Sequence, residues 1–168
     1  MARAVRTDGP FSLRSGELSD WYLDGRQTTF DGEGGRLVGR CVLAVLDPTV
    51  TAVGGMTMGA DPIAVATAVL ADRPLKAFSI RKEAKDHGTG GRLVGPVGSG
   101  DRVAVVEDTV TTGGAMTEAV DVLRQSGIDV AQAIVVVDRS GGAAGRRLAG
   151  LDVPLVTLVT PSDLGVEA

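Results

Sequence analysis

Apolar positions along this chain fall into two alternating rhythms. Leu37, Val38, Cys41, Val42 and Val45 recur at helical spacing within residues 33–47, and Pro48 stops that run. Residues 51–53 form a short buried-strand pattern. Asp61-Pro62 is a helix-start signal, with the Asp as cap and Pro at the first helical position. Ile63, Ala66, Thr67 and Leu70 carry that helix on. Residues 75–80 read as a strand and 81–91 as a polar loop ending in glycine. Residues 102–106 give another strand. Met116, Ala119, Val120 and Leu123 mark a helix over 115–126, closed by Gly127. Residues 130–137 are almost unbroken apolar sequence, which is usual for a strand covered on both faces. A short helix ends over 146–149, and 155–159 is a last strand. This alternation predicts an α/β fold with a mostly parallel central sheet flanked by helices, and right-handed crossovers. The first thirty residues break the alternation. They read as an amino-terminal flap on one domain spanning residues 1–168. The hexapeptide Gly-Gly-Arg-Leu-Val-Gly occurs at 34–39, where it opens a helix, and at 90–95, where it ends a loop. The flanks differ completely, so this is coincidence and not a repeat.

Composition narrows the picture. A chain of 168 residues with 43% hydrophobic and 23% charged residues suits one folded domain with a substantial core. Aromatics are only 3%, so that core is aliphatic. Net charge is −4 with no polybasic stretch, which argues against a broad nucleic-acid-binding face. Cys41 is the single cysteine, so no internal disulfide forms and no cysteine-rich metal site exists. The amino terminus lacks an apolar signal core, and no run is long enough to span a bilayer. The expectation is a cytoplasmic, soluble protein.

The chemistry concentrates in residues 103–115. An apolar strand ends in Glu107-Asp108; Thr109, Val110, Thr111, Thr112, Gly113 and Gly114 follow, and a helix begins at Ala115. In open α/β sheets, ligands bind at the carboxyl ends of strands. Backbone N–H groups, threonine hydroxyls and a helix N-terminus make a phosphate site. The carboxylates would repel a phosphate beside them, and a sugar placed between resolves this. Glu107 and Asp108 can accept hydrogen bonds from vicinal ribose hydroxyls and stabilise positive charge on the ribose. Neither Gly-x-x-x-x-Gly-Lys-Ser/Thr nor Gly-x-Gly-x-x-Gly after a strand is present. A plainer alternative has the acids ending the strand and Thr111 or Thr112 capping the helix.

This stretch resembles the sugar-diphosphate signature of type I phosphoribosyltransferases. The resemblance implies a parallel sheet with a smaller hood, and Mg²⁺ carried in with 5-phosphoribosyl 1-diphosphate instead of held by a metal site of the protein. It places Glu107 and Asp108 at the ribose and residues 109–115 around the 5-phosphate.

Residues 81–91 hold three fixed cations and the chain's one histidine, and they end in glycines. Taken as a generic charged loop, this is a solvated turn. Yet Arg81-Lys82-x-x-Lys85-x-His87-Gly88-x-Gly90 resembles the catalytic loop of orotate phosphoribosyltransferases. That likeness implies that Arg81, Lys82, Lys85 and His87 contact the diphosphate, with Lys82, Lys85, His87, Glu107 and Asp108 as the catalytic set. It also implies a homodimer whose loop serves the neighbouring subunit's site. Cations around a leaving diphosphate lower the barrier, and a loop can close for chemistry and open for release.

Three further stretches resemble the same family. Phe11 to Gly16 with Ser19, Trp21 and Tyr22 is similar to its amino-terminal flap, with Arg14 where the family usually has Lys. Arg14 is expected at the diphosphate or base, and Tyr22 and Leu23 over the base. Packing of the flap on the sheet is the simpler role for those two. Residues 54–62 resemble the diphosphate-binding loop, with Met and Thr where many members carry a lysine; a plain strand-to-helix turn competes. Arg139 follows the strong third strand, where the family pairs an arginine with the orotate carboxylate, and Thr111 is a second base contact. A guanidinium fork matches a carboxylate in two parallel bonds. The alternative for Arg139 is a surface ion pair with Asp138 or Glu107. The resemblance implies orotate phosphoribosyltransferase activity, giving orotidine 5′-monophosphate in de novo UMP synthesis. Two rivals are weighed against it: a purine phosphoribosyltransferase, and a non-catalytic regulator on the same fold.

Overall fold

The computed structural model describes residues 4–12, 18–85 and 91–166, with the Lys85 side chain outside that set. Arg14 and His87 therefore lie outside the described residues. The amino-terminal segment forms two small antiparallel ribbons: β1 (Val5–Arg6) pairs with β4 (Tyr22–Leu23), and β2 (Phe11–Ser12) pairs with β3 (Leu18–Ser19). A short helix α1 (Arg26–Thr29) leads into α2 (Gly32–Val45). Asp31 caps α2, its carboxylate accepting from the Glu33 and Gly34 amides.

The main body alternates as the hydrophobic rhythm predicts: β5 (Ala52–Met56), α3 (Ala60–Leu70), β6 (Lys76–Lys85), β7 (Gly91–Val94), β8 (Arg102–Val110), α4 (Gly114–Gln125), β9 (Asp129–Asp138), α5 (Ala143–Ala149) and β10 (Leu155–Val159). One six-stranded sheet has the order β10-β9-β8-β5-β6-β7. All its neighbours are parallel except β7, which returns antiparallel beside β6. Alternation along β8 divides the core. Val103 and Val105 face α4 and α5, packing with Met116, Leu123 and Leu148. Ala104 and Val106 face α2 and α3, packing with Val42 and Ile63. Trp21 and Leu23 of the flap join this second layer.

Four local expectations need correction. The strand at 102–106 continues to Val110, because Glu107, Thr109 and Val110 still pair with Val135, Val137 and Asp138 of β9. Asp61 is not the cap of α3, which begins at Ala60 after Gly59 with no side-chain cap. Asp61 accepts instead from the Thr57 hydroxyl at 2.7 Å. The stretch 81–91 is a strand through Lys85, not a loop throughout, because β7 turns back and pairs with it. For the same reason the second Gly-Gly-Arg-Leu-Val-Gly copy supplies β7 and does not end a loop.

The amino-terminal edge of the sheet is tied by one buried acid. Asp101, 7% exposed, accepts from Lys76 Nζ and Thr51 Oγ1 at 2.9 Å, and from the Gly98 amide at 2.9 Å. It joins β8 to β5 and β6 just where the three strands start. The Lys76 hydrogen bond, reinforced by Gly98 and Thr51 against the cost of burial, holds this carboxyl below its ordinary value. A depressed carboxyl pKa stabilises the fold above the unfolded value and loses that contribution as pH falls through the folded one. Asp101→Asn is expected to cost about 1–2 kcal/mol at pH 7. Urea unfolding of both proteins should show the gap narrowing below pH 4. A gap that is constant with pH would show that the charge contributes nothing.

Candidate active site

The order of the strands creates the site. From β5 the chain moves outward to β6 and β7, then returns to place β8 on the other side of β5 and continues to β9 and β10. The sheet reverses direction between β5 and β8, and ligands bind in the crevice outside such a switch point. Pairing of β5 with β8 ends at Gly54 with Val105, although both strands run further. Beyond it, β8 carries Glu107 and Asp108, and β5 gives way to Thr57, Met58 and Gly59. Two glycines keep the backbones close. A Cβ on Gly55 would lie 2.3 Å from the Val106 carbonyl, and one on Gly59 would lie 2.4 Å from Glu107 Oε1.

Above this point lies a cavity of about 540 Å³ walled by Tyr22, Leu23, Asp24, Gly25 and Arg26 from the flap, Thr57, Met58 and Gly59 from the loop after β5, Lys82 from β6, and Glu107, Asp108 and Thr109 from β8. A second cavity of about 500 Å³ shares Thr57, Gly59, Lys82, Glu107 and Thr109 with it and reaches Met56, Ala115 and Glu118. One side is thus acidic, Lys82 and Arg26 bring cations, and the flap roofs the space.

The acids differ in their surroundings. Glu107 is buried, and Asp108 is partly exposed. Asp108 Oδ1 accepts from the Thr109 amide at 2.7 Å. Glu107 Oε1 receives only a long contact, 3.3 Å, from the Asp108 amide. Burial first, then the neighbouring charge of Asp108, pushes the Glu107 carboxyl up to about 8, and Asp61 adds to the repulsion. Burial and the neighbouring carboxylates thus favour the protonated form of Glu107, which can donate as well as accept. The Thr109 hydroxyl is buried with no hydrogen-bond partner, as is Asp61 Oδ1.

After Val110, which is in the core, the chain makes an exposed turn through Thr111 and Thr112. Gly113 takes φ 80° and precedes α4; a Cβ there would lie 2.9 Å from Ala144 Cα. Glycine therefore answers both a conformational and a spatial demand. The alternative of a threonine cap fails, since the residue before α4 is Gly113 and no side chain caps the helix. Thr112 Oγ1 has only a 3.4 Å contact from the Gly114 amide.

The remaining expected residues are more scattered. Arg81 is half-buried and does not wall either cavity; its carbonyl accepts from Arg92 Nε at 2.7 Å. Arg139 is anchored at the end of β9 by its amide, which donates to Val110 at 2.8 Å. Its guanidinium lies 3.8 Å over the Trp21 ring. Among the described residues it makes no ion pair, so the surface bridge to Asp138 or Glu107 is not formed. Burial lowers its pKa, and Tyr22 opposes this electrostatically. Sequence reasoning missed Arg26 and Glu118. Arg26 pairs with Asp24 at 2.8 Å and is also drawn electrostatically toward Asp108. Its signal was faint: one arginine in Asp24-Gly25-Arg26 directly after Tyr22-Leu23. Glu118 pairs with Arg92 and closes the second cavity.

No family model matches the chain. Whole-chain comparison is decisive. An orotate phosphoribosyltransferase of Streptomyces avermitilis is 44% identical over 163 residues, covering 95% of this chain and 90% of the relative. The chain belongs to the orotate phosphoribosyltransferase family. Its fold agrees. The crystal structure of Mycobacterium tuberculosis H37Rv orotate phosphoribosyltransferase in complex with Fe(III) dicitrate superposes with TM-score 0.87 at 35% identity, covering 98% of this chain and 94% of that one. The same enzyme in complex with 5-phospho-alpha-D-ribosyl 1-diphosphate gives TM-score 0.81 at 32% identity, covering 94% and 90%. The architecture is the type I phosphoribosyltransferase fold: a mostly parallel sheet flanked by helices, with the flap as the small hood.

For the free protein Glu107 is an unfavourably placed glutamate. A carboxyl whose folded pKa is raised keeps full stability below its unfolded value and loses stability as pH rises toward the folded value. For Glu107 that window runs from the ordinary glutamate range to about 8. Glu107→Gln should therefore stabilise the free protein at pH 8.5 by on the order of 1–3 kcal/mol, and much less at pH 5. Its turnover should fall at least tenfold. Denaturant titrations at both pH values check this; a variant less stable at pH 8.5 would contradict the burial argument.

Proposed function

We propose that this orotate phosphoribosyltransferase transfers the phosphoribosyl group of 5-phosphoribosyl 1-diphosphate to orotate, releasing diphosphate and forming orotidine 5′-monophosphate for UMP synthesis. The observation that carries the reading is the Glu107-Asp108 pair at the switch-point cavity, followed at the end of β8 by the turn over residues 111–113 into α4. A ribose held by the acids points its 5-phosphate into that turn. Backbone amides, the Thr111 and Thr112 hydroxyls and the start of α4 suit a phosphate dianion. The acids face the carbon that becomes electron-poor as the bond to diphosphate lengthens. Asp108, and Glu107 once it releases its proton, stabilise that positive charge in a site with little water. Lys82 walls both cavities and stands where the departing diphosphate gathers charge. Arg81, Lys85, His87 and Arg14 add cations or donors to the diphosphate in this reading. Arg139 pairs with the orotate carboxylate, Thr111 contacts the base, and Tyr22 and Leu23 cover it. Positioning and electrostatics carry most of the rate.

The family's Mg²⁺ suits these residues. Glu107 and Asp108 offer oxygen donors, the kind a hard cation takes. Among the described residues no cluster of three or more His, Cys, Asp or Glu is poised as a metal cage. In our reading Glu107 and Asp108 would help hold Mg²⁺ brought in with the diphosphate. Its chemistry there is to neutralise diphosphate charge.

The homodimer is proposed on different grounds. Val65 and Val69 stand one turn apart on α3 and are 55% and 77% exposed. Exposed apolar side chains at helical spacing suit a partner surface. In this reading a second copy packs against α3. No helix among the described residues is long and apolar enough to cross a membrane. The net charge of −4 and absence of a polybasic stretch argue against a broad nucleic-acid-binding face. We place the enzyme in the cytoplasm.

A base panel tests the function. Purified protein with Mg²⁺ and the sugar diphosphate should consume orotate and neither hypoxanthine nor adenine. Turnover of a purine instead would move the substrate assignment, and nucleic-acid binding without turnover would remove the enzyme. Lys85→Ala should lose at least a hundredfold in kcat with an unchanged melting curve. For the assembly, Val69→Lys should shift the mass measured by light scattering from dimer to monomer. A dimeric variant would move the interface away from α3.

A further inference from the structure

We propose that Trp21 is a positioning residue for base recognition: it holds the face of the Arg139 guanidinium so that only its edge is left for the carboxylate of the base. The inference rests on the reading of Arg139 as the orotate-binding arginine, and it adds a role for the flap.

Arg139 meets the flap in two ways. The guanidinium carbon lies 3.8 Å from the centre of the Trp21 ring, within the range for a strong cation–π contact. Trp21 is only 8% exposed, so this contact is largely shielded from water. Arg139 Nη2 also approaches Ser19 Oγ at 3.5 Å. The Ser19 hydroxyl already donates to the Trp21 carbonyl at 2.7 Å, so it faces Arg139 as an acceptor. One short segment thus fixes its own turn and presents a ring and a lone pair to the same guanidinium.

The two contacts have unequal strength, and that decides what a ligand can displace. A planar cation offers its face to an aromatic ring and its edge to a carboxylate. Indole occupies the face, where a carboxylate has no claim. The Ser19 contact uses the edge but is long, so a carboxylate that brings charge and two short bonds replaces it. The backbone of Arg139 is held separately by Val110 at 2.8 Å, so the side chain is the part that needs orientation. Trp21 is followed at once by Tyr22 and Leu23, which wall the larger cavity. Tyr22 also acts electrostatically on Arg139. Orientation of the arginine and placement of the roof are therefore set by adjacent residues.

Kinetics and fluorescence test this together, since Trp21 is the chain's single tryptophan. Trp21→Leu should lower kcat/KM for orotate roughly tenfold while leaving KM for the sugar diphosphate within about twofold. Trp21→Phe, which keeps an aromatic face, should recover most of the loss. In the unmodified enzyme, orotate should change Trp21 emission saturably, and Arg139→Gln should abolish that change. The proposal is overturned if leucine and phenylalanine behave alike, if both substrates lose equally, or if orotate leaves the emission unmoved. Should Trp21→Leu fail to fold, the comparison of unmodified enzyme with Arg139→Gln still decides by emission. Arg139→Gln with normal KM for orotate would overturn the carboxylate reading itself, and this proposal with it. A raised KM for orotate in Arg139→Gln, together with equal losses for both substrates in Trp21→Leu, would remove this proposal alone.

Discussion

The close approach of β5 and β8, followed by their parting, is the constraint on which the rest depends. The two strands touch closely enough that a side chain on Gly55 would strike the Val106 carbonyl. One turn later, Gly59 packs against Glu107 and Asp108, where a Cβ would stand 2.4 Å and 2.8 Å from their oxygens. A Cβ there would displace both carboxylates. That contact brings the loop after β5 onto the acids and fixes the floor of both cavities. The other walls come from separate parts of the chain: the flap above, Lys82 at the side, and α4 beyond.

Two buried acids, one just before β8 and one near its end, have contrasting surroundings. Asp101, just before its start, is surrounded by a lysine, a hydroxyl and an amide. It is a buried charge of the tolerated kind, paired and hydrogen-bonded. Glu107, near its end, has one long amide contact, and two other carboxyl groups act on it. A fold selected for stability alone would not leave a glutamate so placed. Under the proposed function, in which the acids meet a sugar turning positive, the same surroundings are useful. They favour the proton when the site is empty and favour its release once positive charge arrives.

Much of this was legible in the sequence because the hydrophobic rhythm is strong. The continuous apolar run of β9 and the helical stripe of α4 could be read directly, and so could the acidic pair and glycine turn between β8 and α4. The errors fall where partner strands decide. Arg81 to Lys85 looks like a solvated loop until β7 pairs with it. Gly-Gly-Arg-Leu-Val-Gly is helix in α2 and strand in β7, so the same local preference gave way to tertiary context. Glu107 to Val110 extend β8 because β9 is long enough to pair with them. Within the candidate site, Arg26 and Glu118 carried no pattern of their own. They matter only because the flap and α4 fold back over the crevice, a distance in space that periodicity does not encode.

The flap is the part whose logic is least like that of the sheet. Its strands are two residues long, and such ribbons have little stability of their own. It is held by what it packs against. Trp21 and Leu23 sink into the layer formed by α2 and α3, and Trp21 also lies on Arg139. An anchor residue that is also a recognition residue links two properties otherwise independent. With Arg139 taking the base carboxylate as proposed, the flap that supplies the roof also supplies the ring beneath the guanidinium. Specificity for an acidic base then depends on flap and sheet together, because the sheet provides the arginine and the flap orients it.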